Sequence, residues 1–549
     1  MNSSSRGATR ELLHLLRPFW PIVLLSIVLG IIGGASVTLL LAHINQALHA
    51  PDGVASGMLR AFAGLCLLSL LCTGLSDMGS NFVGQNIILK LRKELGEKVL
   101  CAPIDQIERY KSHRLIPVLT HDIYTIRDFS FAFAPLTIAL TVSLGCLGYL
   151  AMLSWPLFLL LVGGLVLGLG AQLIARRRAI EGFDKAREAE DELQKQYHAI
   201  AEGAKELRMH RPRRNRLFNQ RILRTADVIC QTQFRAMNTF IVAKSFGSTL
   251  FFVVIGLALV IERLLPGMDK AAMSGFVLVL LYLKGPLDQL VSVLPIVSRA
   301  QIAFRRIADL SRQFSSPEPH LLLNDSNVAP LPFTSLELRN AGYTFAPSPG
   351  VAPFSLGPVN LKVQRGEIVF IVGENGGGKT TLIKLLLGLY APQRGELRLN
   401  GQVVGPEARD DYRQSFTTIF ADYFLFDDLV QDDAHVPQEA EQYLQRLQIA
   451  HKVGIDNGRF TTTDLSTGQR KRLALVSAWL EQRPVLVFDE WAADQDPAFR
   501  HIFYTELLPD LKRLGKTIIV ISHDDRYFHV ADQLVRMQAG CVASALETA

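Results

Sequence analysis

Six long apolar stretches fill the first 300 residues of this 549-residue chain, near 19–41, 59–77, 131–152, 155–174, 239–261 and 274–297. Each has about the roughly 20 residues that a helix needs to cross a hydrocarbon core. In lipid every backbone N–H and C=O must be satisfied within the protein, and a single segment achieves that only as a helix. The first half is therefore expected to be a membrane all-α domain with six transmembrane helices. The first stretch is longer than the apolar region of a signal peptide, and Gly30, Gly33 and Gly34 suit close helix packing, so no cleavage is expected.

The charges between the stretches carry an orientation. Segments 42–57 and 153–154 hold no Lys or Arg, and in 262–273 Arg263 and Lys270 are balanced by Glu262 and Asp269. By contrast, 78–130 holds eight basic residues and 176–238 holds fifteen. The positive-inside rule then places both termini and the two long loops in the cytoplasm. A bundle of buried soluble helices would have no reason to segregate charge loop by loop.

Composition supports the same division. Residues 1–329 carry 35 Lys and Arg against 24 Asp and Glu, whereas 330–549 carry 22 against 27. The basic excess thus lies in the half with the apolar runs, which points to membrane lipid and not to a nucleic-acid partner. A hydrophobic share of 49% excludes a disordered chain. The six cysteines form no CxxC pair and no zinc-type cluster, and read as small apolar residues.

The basic loops alternate charged and apolar residues at helical spacing over 91–100 and 181–196, so the spans are expected to continue into the cytoplasm as helices. Breaks near 103–110 and 202–207 would be their tips and natural contact points for a cytoplasmic domain. Ser315-Ser316-Pro317-Glu318-Pro319 and Ala329-Pro330-Leu331-Pro332 then punctuate the chain. The expected division is a membrane domain at 1–313, a linker at 314–332 and an α/β P-loop domain at 333–549.

That last assignment rests on Gly373-Glu374-Asn375-Gly376-Gly377-Gly378-Lys379-Thr380-Thr381. The β-branched run 368–372 before it reads as a buried strand, and 381–386 after it reads as a helix. Strand, glycine loop and helix together form the setting of a P-loop, whose backbone N–H groups and helix N-terminus cradle phosphates. Lys379 would neutralise the β- and γ-phosphates and Thr380 would ligate Mg²⁺. A second strand, 485–488, ends in Asp489-Glu490. An acid there holds Mg²⁺, and a second acid beside it can polarise the attacking water. ATP and Mg²⁺ are the implied cofactors.

Between these motifs lies Leu465-Ser466-Thr467-Gly468-Gln469, followed by a helical stretch. With this order of motifs the chain resembles the ATP-binding-cassette (ABC) transporter family, with Thr467 replacing a glycine of its LSGGQ signature. The resemblance implies that Ser466, Gly468 and Gln469 clamp phosphate from a second side. It implies that Tyr343, 30 residues before Gly373, stacks on adenine, that 493–496 form the D-loop, and that His523 senses the γ-phosphate beside the catalytic base Glu490. One P-loop and one signature per chain imply a half-size exporter working as a homodimer.

Residues 420–426, 489–496 and Glu206-Leu207 look like those of the cyclic-peptide and siderophore exporter branch, implying a peptide-like cargo, a siderophore precursor in particular. A lipid flippase of the same architecture and a nucleotide-gated channel or membrane ATPase are the alternatives; Glu490 favours a pump over a channel. The chain departs from the family at Ala421, where a glutamine usually meets Mg²⁺, and Asp422 is a candidate replacement. Only 44 residues separate Ala421 from Leu465, and no acidic segment precedes the signature at 458–461. Finally, Lys244, Lys284 and Asp288 lie inside apolar spans. Ionisable groups at that depth face a cavity or a partner, so these three are candidates to line an export cavity, with a mutually neutralised Lys284–Asp288 pair as the alternative.

Overall fold

The computed structural model describes residues 19–48, 56–110, 112–264, 270–322, 332–347, 353–429, 439–456 and 458–547. Contacts divide the chain into two compact units, one formed by 1–99 and 108–315 and the other by 100–107 and 316–549. The punctuation at 329–331 lies outside the described residues.

The first unit is helical. Among the described residues six helices are long and apolar enough to cross a membrane: α1 (Trp20–Leu48), α2 (Ser56–Leu100), α3 (Leu115–Leu153), α4 (Trp155–Glu202), α5 (Arg211–Ile261) and α6 (Ala272–Gln313). All except α1 run beyond the apolar segment by several turns, as the charge alternation predicts. A break at Gly203 ends α4, and α5 begins after His210. Pro286 and Pro295 lie within α6 without ending it.

Small residues set the packing of α1. A Cβ on Gly33 would lie 2.8 Å from the Thr73 methyl of α2, and one on Gly34 would lie 2.9 Å from Thr141 Cβ of α3. Ser76 Oγ donates to Ser26 O at 2.8 Å, closing the α1–α2 contact with a buried hydrogen bond. Such close approach is how apolar helices associate where water supplies no drive. Most of α2 is uncovered, and Leu67, Leu70, Leu71 and Leu75 are all more than half exposed. Only an apolar solvent makes that surface tolerable.

Beyond the apolar segments the bundle is fastened by charge. Arg187 of α4 is buried, donating to Asp122 of α3 at 3.0 Å and to Glu190 at 2.6 Å. Gln233 of α5 donates to the other oxygen of Glu190 at 3.0 Å, and Arg306 of α6 pairs bidentately with Asp191. Four helices thus share one ionic knot.

The second unit is an α/β sandwich. Its strands are β1 (Ser335–Thr344), β2 (Ser355–Gln364), β3 (Ile368–Gly373), β4 (Arg394–Leu399), β5 (Gln402–Val403), β6 (Phe416–Ile419), β7 (Ile455–Asp456), β8 (Arg459–Phe460), β9 (Val485–Asp489), β10 (Thr517–Ile521), β11 (Gln533–Gln538) and β12 (Cys541–Glu547). An antiparallel sheet of order β2-β1-β4-β5 faces a sheet of order β12-β11-β3-β10-β9-β6, parallel except for its β11–β12 edge. Alternation along the central strands feeds two cores. Ile368, Phe370 and Val372 of β3, with Leu486 and Phe488 of β9, face the helices around the signature. Val369, Ile371, Val485 and Val487 face the antiparallel sheet. A strand buried on both faces must read as a continuous apolar run, and these do.

The break expected at 103–110 is a short helix, Ile104–Tyr110. The stretch 100–107 belongs to the second unit: Glu318 N donates to Cys101 O at 2.7 Å, and Ile104 packs on the core between the two sheets.

Candidate functional site

β3, β9 and β10 lie side by side and parallel, so their C-terminal ends deliver their loops to one rim. This is where open α/β sheets bind ligands. From β3 comes the glycine loop, capping α7 (Lys379–Leu386). Gly373 has φ +145° and passes so close to β11 that a Cβ would sit 2.2 Å from Met537 O. Gly376 and Gly378 also have positive φ. Lys379 is buried and folds back over the loop, donating to Gly373 O at 2.9 Å and Glu374 O at 3.0 Å. Burial pushes its ammonium below the usual lysine range while Glu490 and Asp489 pull it back up. Asn375, Gly377 and Thr381 complete the loop and its helix start.

β9 ends in Asp489, which is 1% exposed. Its Oδ2 lies 3.4 Å from Thr380 Oγ1, and its Oδ1 has no partner among the described residues. Burial, with the adjacent Glu490 charge, raises its carboxyl above the usual range; the Ala421 backbone and Thr380 oppose the shift. An unpaired buried carboxylate oxygen beside a hydroxyl is a donor set that fits Mg²⁺, which takes few protein oxygens and keeps several waters.

Glu490 has left-handed backbone, φ +50°. That turn lifts its carboxylate out of the sheet, where Oε1 meets His523 Nε2 at 3.2 Å after β10. The pair lines an open cleft of about 310 Å³ together with Ser522 and Arg500. The structure therefore brings Glu490, His523, Asp489, Thr380 and Lys379 to one rim. Ala421 follows β6, which pairs with β9, and Asp422 is close enough to press the Asp489 carboxyl upward.

The signature starts α9, counting α8 as Glu439–Arg446. Ser466 is the N-cap of this helix (Thr467–Leu480): its hydroxyl accepts from Gln469 N and its N–H donates to Gln469 Oε1, a reciprocal capping box. Gly468 abuts the D-loop, where a Cβ would lie 2.6 Å from Asp494 O. Among the described residues no hydrogen bond or ion pair joins Ser466, Gly468 or Gln469 to the glycine loop of the same chain.

One sequence expectation is corrected. Tyr343 is 4% exposed and stacks on Tyr390 at 4.6 Å within the inter-sheet core, with its hydroxyl on Asp105. A ring packed there presents no face to adenine. Phe345, just past the end of β1, is only partly buried, and its N–H bonds Phe354 O. The ring of Phe354 in turn approaches Gly378. Phe354 is the aromatic against the loop and Phe345 packs beside it; the sequence pattern Tyr-x-Phe did not distinguish Phe345 from Tyr343.

Two further residues carry no motif of their own. Lys471 on α9 is 2% exposed, donates to Glu490 O at 3.0 Å and pairs with Asp494 at 2.8 Å. Arg472 bonds Gln495 and Asp496 and lies 3.6 Å over Phe499. The signature helix is thus tied to the Glu490 turn. The segment before it forms the β7–β8 hairpin, onto which residues 427–429 pair.

In the membrane unit Lys244, Lys284 and Asp288 line one cavity. The neutralised Lys284–Asp288 pair is not formed: the Lys284 ammonium lies 4.8 Å over the Phe252 ring, and among the described residues no ion pair joins it to Asp288.

The pattern of the family described as "ABC transporter" matches 356–493, and that of "ABC transporter transmembrane region" matches 19–281. "ATP-binding protein SyrD" of Pseudomonas syringae pv. syringae is 35% identical over 534 residues, covering 95% of this chain and 94% of that protein. This chain belongs to the ABC transporter family. A relative called "ATP-dependent lipid A-core flippase", from Alkalilimnicola ehrlichii, is 24% identical and covers 97% of this chain and 92% of its own. The fold also matches a bacterial Atm1-family ABC exporter with ATP bound, at TM-score 0.75 and 16% identity, over 97% of this chain and 95% of that one. The ABC transporter described here is a multi-pass bacterial membrane protein. It is an ATP-driven exporter of half-transporter type whose second unit binds and hydrolyses ATP.

Proposed function

We propose that this ABC transporter works as a homodimer in the bacterial inner membrane, with both termini cytoplasmic, and exports a peptide-like molecule. The observation that carries the mechanism is the Glu490–His523 contact at the end of two parallel strands beside the glycine loop. Lys379 leaves its carbonyl partners for the β- and γ-phosphates. Thr380 and Asp489 would hold Mg²⁺, which supplies charge neutralisation between phosphate oxygens. Phe345 stacks on adenine. Glu490 accepts a proton from the attacking water, and His523 orients its carboxylate. Ser466, Gly468 and Gln469 close the site of the second copy, since they bond elsewhere in their own chain. Residues 314–332 link the membrane domain to the ATPase domain.

A peptide-like cargo is supported by the likeness of 420–426, 489–496 and Glu206-Leu207 to the cyclic-peptide and siderophore exporters. The pyoverdine-precursor exporters of fluorescent pseudomonads are the narrower likeness. The lipid reading is supported by the lipid A-core flippase relative, at lower identity. Glu490→Gln tests the reading on two levels. Purified protein should still bind ATP and lose turnover by about the 10²-fold or more expected for lost base catalysis. Cells carrying the variant should retain the same metabolite as cells lacking the gene. Near-normal hydrolysis would reject Glu490 as base; lost hydrolysis with no retained metabolite would reject export of a soluble cargo.

A further inference from the structure

Among the described residues of the ATPase domain two lysines are buried. Lys379 belongs to the glycine loop. Lys471, at 2% exposed, has no part in the chemistry above. It stands on α9 in the second turn after its N-cap, Ser466. Burying an ammonium is costly unless it is paired and hydrogen-bonded. Lys471 meets both conditions within one short turn of chain: it donates to Glu490 O at 3.0 Å and pairs with Asp494 Oδ2 at 2.8 Å. The indole N–H of the fully buried Trp491 donates back to Lys471 O at 2.9 Å. Helix and turn thus clasp each other in both directions. Trp491 also stacks on Phe503, with ring centroids 4.4 Å apart, so moving the turn would open a close-packed core.

The turn needs holding. Glu490 has φ +50°, a region that a residue with a Cβ occupies only where its surroundings fix it. Its N–H donates to Ile521 O at 3.3 Å, two residues before His523. Its carbonyl accepts from Ala493 N at 3.2 Å and from the Lys471 ammonium at 3.0 Å. Of these bonds the last is the shortest and is charge-assisted, hence the strongest. Together they fix the peptide planes on both sides of the Glu490 Cα, and so the direction in which its carboxylate reaches His523 Nε2. Stability alone does not call for a lysine here. Asp494 is 46% exposed and would be hydrated without it, and an apolar side chain would fill the site without the cost of a buried charge.

We propose that Lys471 is a positioning residue for ATP hydrolysis: its ammonium holds the left-handed Glu490 turn and ties the direction of that carboxylate to the signature helix. The proposal rests on Glu490 being the base, as proposed above. Lys471 touches neither nucleotide nor water; it acts through the Glu490 peptide. Withdrawing the ammonium leaves the Glu490 carbonyl on the Ala493 bond alone, with the carboxylate free to turn from the attacking water.

The test is a double-mutant cycle on the full-length protein in nanodiscs, reading ATP binding and turnover. Lys471→Met keeps the length of the stem and removes donor and charge. It should keep its KM for ATP and lose about tenfold in kcat. Lys471→Gln keeps an N–H donor on a shorter stem, and its kcat should fall between those of Lys471→Met and wild type. Glu490→Gln alone should lose about 10²-fold or more. In that background Lys471→Met should lower the residual rate by less than about twofold, because the carboxylate it positions is gone. A merely structural lysine gives another pattern: ATP binding by the folded protein falls with turnover, or the same loss appears with and without Glu490. Either pattern, or a wild-type kcat in Lys471→Met, overturns the proposal. If Lys471→Met does not fold, the cycle is run with Lys471→Gln and the same patterns decide. Failure of the reading beneath it looks different: Glu490→Gln alone would then turn over ATP at a near-normal rate.

Discussion

Position 421 carries alanine where the resemblance to ABC transporters implies a glutamine. Alanine offers no side-chain oxygen there, and its backbone only helps hold the Asp489 carboxyl down. The side-chain oxygen available nearby is that of the exposed Asp422. If Asp422 completes the oxygen set around the cation through water, Asp422→Ala should slow hydrolysis and raise the Mg²⁺ concentration needed for half-maximal rate. Ala421→Gly should change neither. A Mg²⁺ titration of turnover on both variants distinguishes this from a turn residue, which would leave both curves unmoved. The adenine contact is tested in the same preparation. Phe345→Ala should weaken ATP binding by about tenfold, given roughly 1–3 kcal/mol for base stacking on an aromatic. Tyr343→Phe keeps the buried ring and should bind ATP normally; the reverse pattern would restore Tyr343 to the site.

These residues also show what was legible in the sequence. The glycine loop, Asp489-Glu490, His523 and Ser466 were readable because each follows a strand or starts a helix, and local chain geometry then fixes its direction. Tyr343 and Phe345 stand two apart, so strand alternation gives them the same face, and only the end of β1 at Thr344 separates core from rim. Lys471 was invisible for another reason: its partner, the Glu490 carbonyl, is brought to it by tertiary packing, and a lysine after a signature reads as a solvated helix residue.

At the scale of elements, the membrane unit is held by two different forces. In the apolar segments it is glycine-mediated contact, as at Gly33 and Gly34. In the cytoplasmic extensions it is the knot around Arg187, whose side chain is 10% exposed and whose partner Asp122 is 3% exposed. Removing one member of a buried pair strands the other charge, at about 3–5 kcal/mol. Arg187→Met should therefore lower the melting temperature of the purified protein, and adding Asp122→Leu should recover most of the loss. If the single variant melts like wild type, the knot is solvated and contributes little. The spans themselves were legible from apolar length, and their extensions from charge periodicity. The knot was not, because Asp122, Arg187, Gln233 and Arg306 come from four helices and only packing selects them from many similar charges.

For the whole molecule, everything proposed about coupling depends on two copies sharing each ATP. The signature residues bond within their own chain to the D-loop and to the start of their own helix, leaving the glycine loop to be closed from outside. ATP would then join two cassettes, and hydrolysis would part them. The most direct measurement is ATP-dependent crosslinking in a Glu490→Gln background, with exposed Cys66, Cys230 and Cys541 replaced by serine. One chain carries Asn375→Cys and the other Ser466→Cys. Adding ATP and Mg²⁺ should produce a crosslinked species of twice the chain mass, absent without nucleotide. Crosslinks that do not respond to ATP, or none at all while ATP remains bound, would contradict the shared site.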